Sequence, residues 1–371
     1  MRGRSPLSSP DLVSIDAAER HNSPYALWSG LSETTGDEQL VRAAVLASNV
    51  HNTQPWRFKL LPESIEISAD LDRNLGAFDP FRRELFQSIG CAAENCRIVA
   101  RAQGLEGRVE ALPGRLPPRP DDARAVIVHL GPGEVVPANL RLLERRRTYR
   151  GPFEAFPPSE VLLAELPALA QDLPLTRLDL VTGKPARLLG AVIVEATREI
   201  VADARMVADN AAWFRFRQRD VEQRRDGLTL DATVAHPLQQ LLARAFPPTR
   251  AKLTRQWLTD TEKVHVGTAS AFGVISVEDP YDRPTAITVG RLWQRLQLRL
   301  TQRGMASQPL GQPLERADRE RQLGQREKWT RKLQVLGPRP DWQPTFLFRL
   351  GYPTQPAGHS PRRTLASVLH S

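Results

Sequence analysis

The chain has 371 residues, 41% hydrophobic and 25% charged, which is enough apolar material for a sizeable core and excludes wholesale disorder. Its formal net charge is +9, but the 45 Arg and 6 Lys are spread along the chain with acids between them, as in the stretch Glu315 to Arg321. That pattern describes a salt-bridged surface and disfavours nucleic acid as a partner; no zinc-finger, basic-zipper or RNA-recognition signature is present. Residues 1–35, rich in Ser, Pro and Gly, read as a flexible leader. Leu40, Val41, Ala44 and Val45 recur at helical spacing and predict a helix over 37–47. A polar loop, 48–54, comes next, then a hairpin of strands 56–61 and 64–69. Asp79-Pro80 supplies an N-cap and a first-turn proline for a helix that runs to about 103 and stops at Gly104. Strands follow at 108–112 and 125–130, separated by a proline-rich connector, 113–122.

The second set of elements begins with a basic helix end at 140–147. It continues with a strand at 176–181, a long helix over 185–209 and a polar, aromatic stretch over 210–262. A strand at 270–277, helices near 285–302 and 314–336, and a last strand at 345–350 complete it. Gly90 and Gly104 have the same separation as Gly290 and Gly304, and the polar pairs Glu94-Asn95 and Gln294-Arg295 sit at matching offsets. The spacing fits an internal duplication, or two helices ended by glycine in the same way. A glycine inside a helix costs about 1 kcal/mol, so Gly90 and Gly290 are expected where helices pack closely.

Three segments carry unusual chemistry. In the loop before the hairpin, Ser48, Asn49, His51, Asn52, Thr53 and Gln54 supply donors and acceptors together. Such a loop suits a polar heteroaromatic ring, or equally an Asx turn that satisfies itself. Arg145, Arg146, Arg147 and Arg150 crowd four guanidiniums beside Thr148. Arg forks pair with phosphate, though a solvated helix end reads the same way by composition. Arg349-Leu350-Gly351-Tyr352-Pro353 leads to a second basic pair, Arg362-Arg363. The seven histidines are dispersed with no ligand spacing, so no metal site is expected; Rossmann, P-loop and serine-hydrolase motifs are absent. Cys91 and Cys96 are poorly spaced for a disulfide and fit a reducing, cytoplasmic setting. No apolar run is long enough for a signal peptide or a membrane span, and no membrane partner is expected.

Together the three segments resemble the nitroreductase family. Its Asn-x-Gln-Pro-Trp-x-Phe motif is matched at Asn52 to Phe58, its Arg-Arg-Ser/Thr-x-Arg motif at Arg146 to Arg150, and its late Gly-Tyr-Pro at Gly351 to Pro353. The order of the first two is changed, which resembles the tandem, Acg-like branch, where one chain supplies both protomers of the ancestral dimer. The resemblance spans about 36–367. It implies an α+β fold with antiparallel sheets flanked by helices, a first half at 36–138 and a second at 139–371. It also implies one FMN between the halves. Arg146, Arg147, Thr148 and Arg150 would hold the FMN phosphate and the polar flavin edge, with Arg362 and Arg363 on the same phosphate. Ser48, Asn49, His51, Asn52 and Gln54 would lie over the ring, and a backbone N–H of Pro309-Leu310-Gly311 would face it. An insertion at about 211–255 would form a lid.

The match has departures. Ser48-Asn49 replaces the family's Pro-Ser, Pro152 adds a residue before Phe153, and the second half lacks an Asn-x-Gln-Pro-Trp segment. One FMN per chain is therefore expected rather than two, in an internal pseudo-dimer that can be monomeric. The resemblance implies an FMN-dependent oxidoreductase carrying electrons from NAD(P)H to a nitro compound, quinone or similar acceptor, with no side chain serving as catalyst. The alternative is a lidded protein that sequesters FMN without turnover; a basic nucleic-acid-binding protein is the third reading.

Overall fold

Apolar alternation builds the first sheet, and the computed structural model describes its surroundings over residues 23–233, 237–336, 339 and 341–370. Helix α1 (Gly36–Val45) is followed by the hairpin β1 (Trp56–Leu61) and β2 (Ser64–Ala69), helix α2 (Arg83–Ala102), and strands β3 (Arg108–Ala111) and β4 (Arg124–His129). Short helices α3 (Arg141–Arg145) and α4 (Glu160–Glu165) lead to strand β5 (Thr176–Val181) and helices α5 (Gly183–Ala202) and α6 (Ala204–Ala211). The next stretch carries β6 (Phe214–Arg215), α7 (Gln218–Arg224), β7 (Leu228–Thr229), α8 (Pro237–Ala245) and α9 (Arg250–Asp260). Then come β8 (Ala271–Val277), α10 (Arg283–Gln302), β9 (Ala306–Pro309), α11 (Gln312–Gln322), α12 (Lys328–Leu336), β10 (Gln343–Gly351), α13 (Leu365–Val368) and β11 (Leu369–His370).

One sheet has the order β11-β1-β2-β4-β3 and the other β5-β8-β10-β9. Within these two sheets all neighbours are antiparallel except β1 and β11, where Phe58 pairs with Leu369 in a parallel register; β6 and β7 form a separate parallel pair. The fold is therefore α+β. Phe58, Ile65 and Ile67 turn inward with Phe86 and Ile89 of α2. Burying each such side chain stabilises by roughly 1.5–3 kcal/mol. The C-terminal β11 adds to the edge of the first sheet beside β1.

Between the sheets, α2 packs along α10. A Cβ on Gly90 would lie 1.9 Å from the Ile287 carbonyl oxygen, and one on Gly290 would lie 1.8 Å from that of Gln87. Only glycine allows the backbones this close. Glu94, fully buried, accepts from Arg97, Arg291 and Arg295 across the same contact.

Several boundaries differ from the sequence reading. Part of the presumed leader is ordered: Trp28 and Leu31 sit in the core, because one aromatic and one aliphatic side chain find a seat that only the fold creates. Residues 1–22 lie outside the described residues. The helix expected over 185–209 breaks at Asp203, whose carboxylate accepts from the Arg205 and Met206 amides and caps a new helix. The helix expected over 314–336 breaks at Gly324, at φ 62°. Arg82 adopts φ 61° and delays α2 to Arg83, but Asp79 still accepts from the Glu84 and Leu85 amides. The basic helix end stops at Arg145, and Arg146 is extended and buried rather than solvated.

Candidate functional site

The amide-rich loop is held open by strained backbone. His51, Asn52 and Gln54 all take positive φ, at 46°, 54° and 50°. Each costs on the order of 1–2 kcal/mol, which the surroundings must offset. The two central helices do so at the loop's start: the Ser48 amide donates to Gln294 Oε1 at 3.1 Å and Trp293 Nε1 donates to Ser48 Oγ at 3.1 Å. Ser88 Oγ of α2 accepts from the Val50 amide at 3.0 Å. Asn49 Oδ1 closes the loop by accepting from the Gln54 amide, five residues on, at 2.8 Å.

From the other end of the chain, Asn52 Nδ2 donates to the Pro361 carbonyl at 3.0 Å, and Asn52 Oδ1 accepts from Arg362. Arg362 also donates to the Leu46 and Ala47 carbonyls, while Arg146 donates to Leu46 O at 3.3 Å and Gln297 Oε1 at 3.0 Å. Three segments remote in sequence thus meet. Between them opens a cleft of about 410 Å³, its mouth included. Ser48, Asn49, Asn52, Arg146, Arg147, Thr148, Arg150 and Arg362 line it. Trp28, Leu228, Ala232, Gly358 and Ser360 complete the lining.

The cleft is strongly cationic and uncompensated. Among the described residues, Arg146, Arg147, Arg150 and Arg362 form no ion pair with a carboxylate, and Arg146 and Arg362 are buried. Burial and then the neighbouring guanidiniums push Arg146 and Arg147 down to about 10. Burial takes Arg150 to about 10, and burial with Arg146 and Arg147 lowers Arg362 further. The Nε atoms of Arg146, Arg147 and Arg362, and His359 Nδ1, are buried without a hydrogen-bond partner. Each such orphan costs about 1–3 kcal/mol. Trp28 offsets part of the charge: its ring lies 4.5 Å from the Arg362 guanidinium and 5.3 Å from that of Arg147. His359 stacks edge-on to Trp28 at 4.5 Å and contacts Arg147. Burial and these arginines hold His359 neutral, down to about 3.

The remaining sequence-derived candidates lie around this lining. His51 bonds Asn210 at 2.8 Å, and burial with the Arg150 charge lowers it to about 4. Gln54 receives the Arg363 amide at 2.8 Å and donates to the Arg225 carbonyl at 2.8 Å. Arg363 turns away from the cleft, toward the Gln54 and Ser367 carbonyls and to Asp70 at 3.8 Å. Pro309, Leu310 and Gly311 are also outside the lining. The Leu310 amide is used by the Leu347 carbonyl at 2.8 Å, and a Cβ on Gly311 would meet Glu84 and Glu315 oxygens at 3.1 Å each. Sequence reasoning missed Trp28, His359 and Ser360. A lone Trp in a Ser- and Pro-rich stretch was the one signal available for Trp28; the other two had none.

The inserted stretch is tied to the loop. The Gly227 amide donates to the Asn52 carbonyl at 3.1 Å, and Tyr25 donates to Asp231 at 2.6 Å. Arg215 pairs with Asp226 at 2.9 Å beneath it.

No family profile matches the chain. Two Mycobacterium tuberculosis proteins, provisionally named NAD(P)H nitroreductases, do match in sequence. Rv3131 is 30% identical over 148 residues, covering 38% of this chain and 41% of that protein. Acg is 29% identical over 130 residues, covering 34% and 38%. The match therefore spans less than half the length of these curated relatives. Among solved structures, the FMN- and NADPH-dependent nitroreductase NfnB from a Sphigopyxis strain aligns at 19% identity and TM-score 0.39, covering 62% of this chain and 96% of NfnB. Iodotyrosine deiodinase bound to FMN and 3-iodo-L-tyrosine aligns at 16% identity and TM-score 0.36, covering 60% and 94%. Over these partial spans the chain is similar in sequence to Rv3131 and to Acg.

Proposed function

We propose that the chain is a flavoprotein that holds one FMN in this cleft and works as an oxidoreductase. The observation that carries the reading is the convergence of four unpaired guanidiniums, from Arg146, Arg147, Arg150 and Arg362, beside Ser48 and Asn52 of the other half. A phosphate dianion fits such a set: it supplies acceptors for the orphaned Nε donors and balances charge that the protein leaves uncompensated. Thr148 adds a neutral donor. Asn49, Asn52 and Thr148 would position the rest of the cofactor, while Arg363 acts one step back by seating Gln54. The chemistry FMN supplies when bound is hydride acceptance from NAD(P)H and electron delivery to a small acceptor such as a nitro compound or quinone. The chain's own part is binding, orientation and exclusion of water; a monomeric pseudo-dimer in the cytoplasm, with two halves descended from one ancestor, agrees with this reading. The insertion supports a second one. Leu228 and Ala232 line the cleft, and the Gly227 amide ties this stretch to the Asn52 carbonyl. A stretch that stayed closed on bound cofactor would favour sequestration over turnover.

Flavin quantification after mild purification tests the proposal. The expected content is about one FMN per chain, falling well below half in Arg146→Ala and in Arg362→Ala with folding intact by circular dichroism. Full flavin content in both variants overturns the assignment. Bleaching of bound flavin by NADPH supports turnover, and bleaching by dithionite alone supports sequestration.

A further inference from the structure

Beyond the cleft, the insertion carries a helix whose apolar residues face solvent. Helix α8 is 9 residues long and none of its described residues is buried. Leu241, Leu242 and Phe246 are 62%, 53% and 78% exposed. A helix this short is marginal in water unless an apolar face packs on something. Contiguous exposed Leu and Phe mark an interaction surface more often than a bare exterior.

Charge says which surface. Arg250, Lys252 and Arg255 follow directly, all exposed, and none forms an ion pair among the described residues, whereas Arg244 is paired with Asp231. Four residues can separate Phe246 from Arg250 by no more than about 14 Å, so apolar and cationic groups share one neighbourhood. A second protein copy would have to bury these cations, and nucleic acid gives Leu241, Leu242 and Phe246 nothing to enter. An anionic bilayer satisfies both: Leu and Phe enter the headgroup boundary while Arg and Lys remain with the phosphates. That no described helix can cross a membrane leaves surface docking open.

We propose that α8 and the basic first half of α9 dock on an anionic lipid surface. The same insertion lines the cleft through Leu228 and Ala232, so docking and access to the cleft share one element. The docking itself does not depend on the flavin reading.

Co-sedimentation of the full chain with vesicles tests it. The probes are vesicles of phosphatidylcholine alone and of phosphatidylcholine mixed with phosphatidylglycerol. Expected is binding to the mixed vesicles only, weakening as salt rises. The triple variant Arg250→Ala, Lys252→Ala, Arg255→Ala should lower the partition coefficient on the order of a hundred-fold. Leu241→Glu with Phe246→Glu should lower it by at least about tenfold. Circular dichroism and flavin content, unchanged in both variants, separate lost docking from misfolding. Absence of binding to either vesicle overturns the proposal. So does binding that neither variant alters, a dimer dissolved by Leu241→Glu, or a salt-sensitive DNA complex in place of vesicle binding.

Discussion

Two glutamates of α2, Glu94 and the half-buried Glu84, respond to their surroundings in opposite directions. Glu94 is fully buried, which by itself raises its carboxyl, but Arg97, Arg291 and Arg295 outweigh burial and bring it down to about 2 from its ordinary 4.5. A lowered native value means the contribution to stability is present above 4.5 and is lost as pH falls toward 2. Glu94→Gln should cost about 3 kcal/mol at neutral pH, because three guanidiniums lose their shared counter-charge. Thermal denaturation should show the gap between variant and wild type closing as pH falls through that window; a gap that stays constant would contradict the assignment. Glu84 goes the other way. Burial and then the Asp79 charge raise it to about 8 despite Arg83, with Glu315 beside it also raised. The native state then binds more protons than the unfolded chain between 4.5 and 8, so this group weakens the fold as pH rises through that range. Glu84→Gln should therefore gain stability relative to wild type on going from pH 5 to pH 8.5. Chemical denaturation at both pH values checks the sign, and a relative loss at the higher pH would refute it.

At the level of elements, the crossing of α2 and α10 sets where the cleft can be. Gln294 and Trp293 of α10 hold Ser48, and Ser88 of α2 holds Val50, so any change in helix spacing moves the loop. Gly290→Val would push side-chain atoms into the Gln87 carbonyl, within 1.8 Å already at Cβ. We expect a loss of about 3 kcal/mol or failure to fold, by thermal melting, since neither backbone can yield alone. A variant that melts like wild type would show that the helices separate cheaply. The close approach was legible in the matching glycines, but the breaks at Asp203 and Gly324 were not. Asp is ordinary inside a helix until its carboxylate finds the Arg205 and Met206 amides. The edge strand β11 is similarly silent: Leu369 and His370 become a strand only because β1 offers a free edge.

Across the whole molecule, chain ends do what local pattern cannot announce. Trp28, far before the first regular helix, covers Arg362 and Arg147, and its Nε1 donates to the Ser360 carbonyl at 2.8 Å. The C-terminal segment that carries Arg362 then continues into the sheet of the first half. Under the proposed function this segment completes the one cleft beside the Asn-Thr-Gln-Pro-Trp loop, and one flavin per chain is expected.

Strand alternation, helix periodicity and the Asn-Thr-Gln-Pro-Trp and Arg-Arg-Thr segments were determined by the sequence alone, because side-chain period and residue type are local properties. Which cations face the cleft was decided only in three dimensions. Arg362 and Arg363 are adjacent and chemically identical, yet one meets Arg146 over Trp28 and the other turns to Asp70 and Gln54. Successive side chains on extended backbone point to opposite sides, and only the packed neighbours determine which side is the cleft.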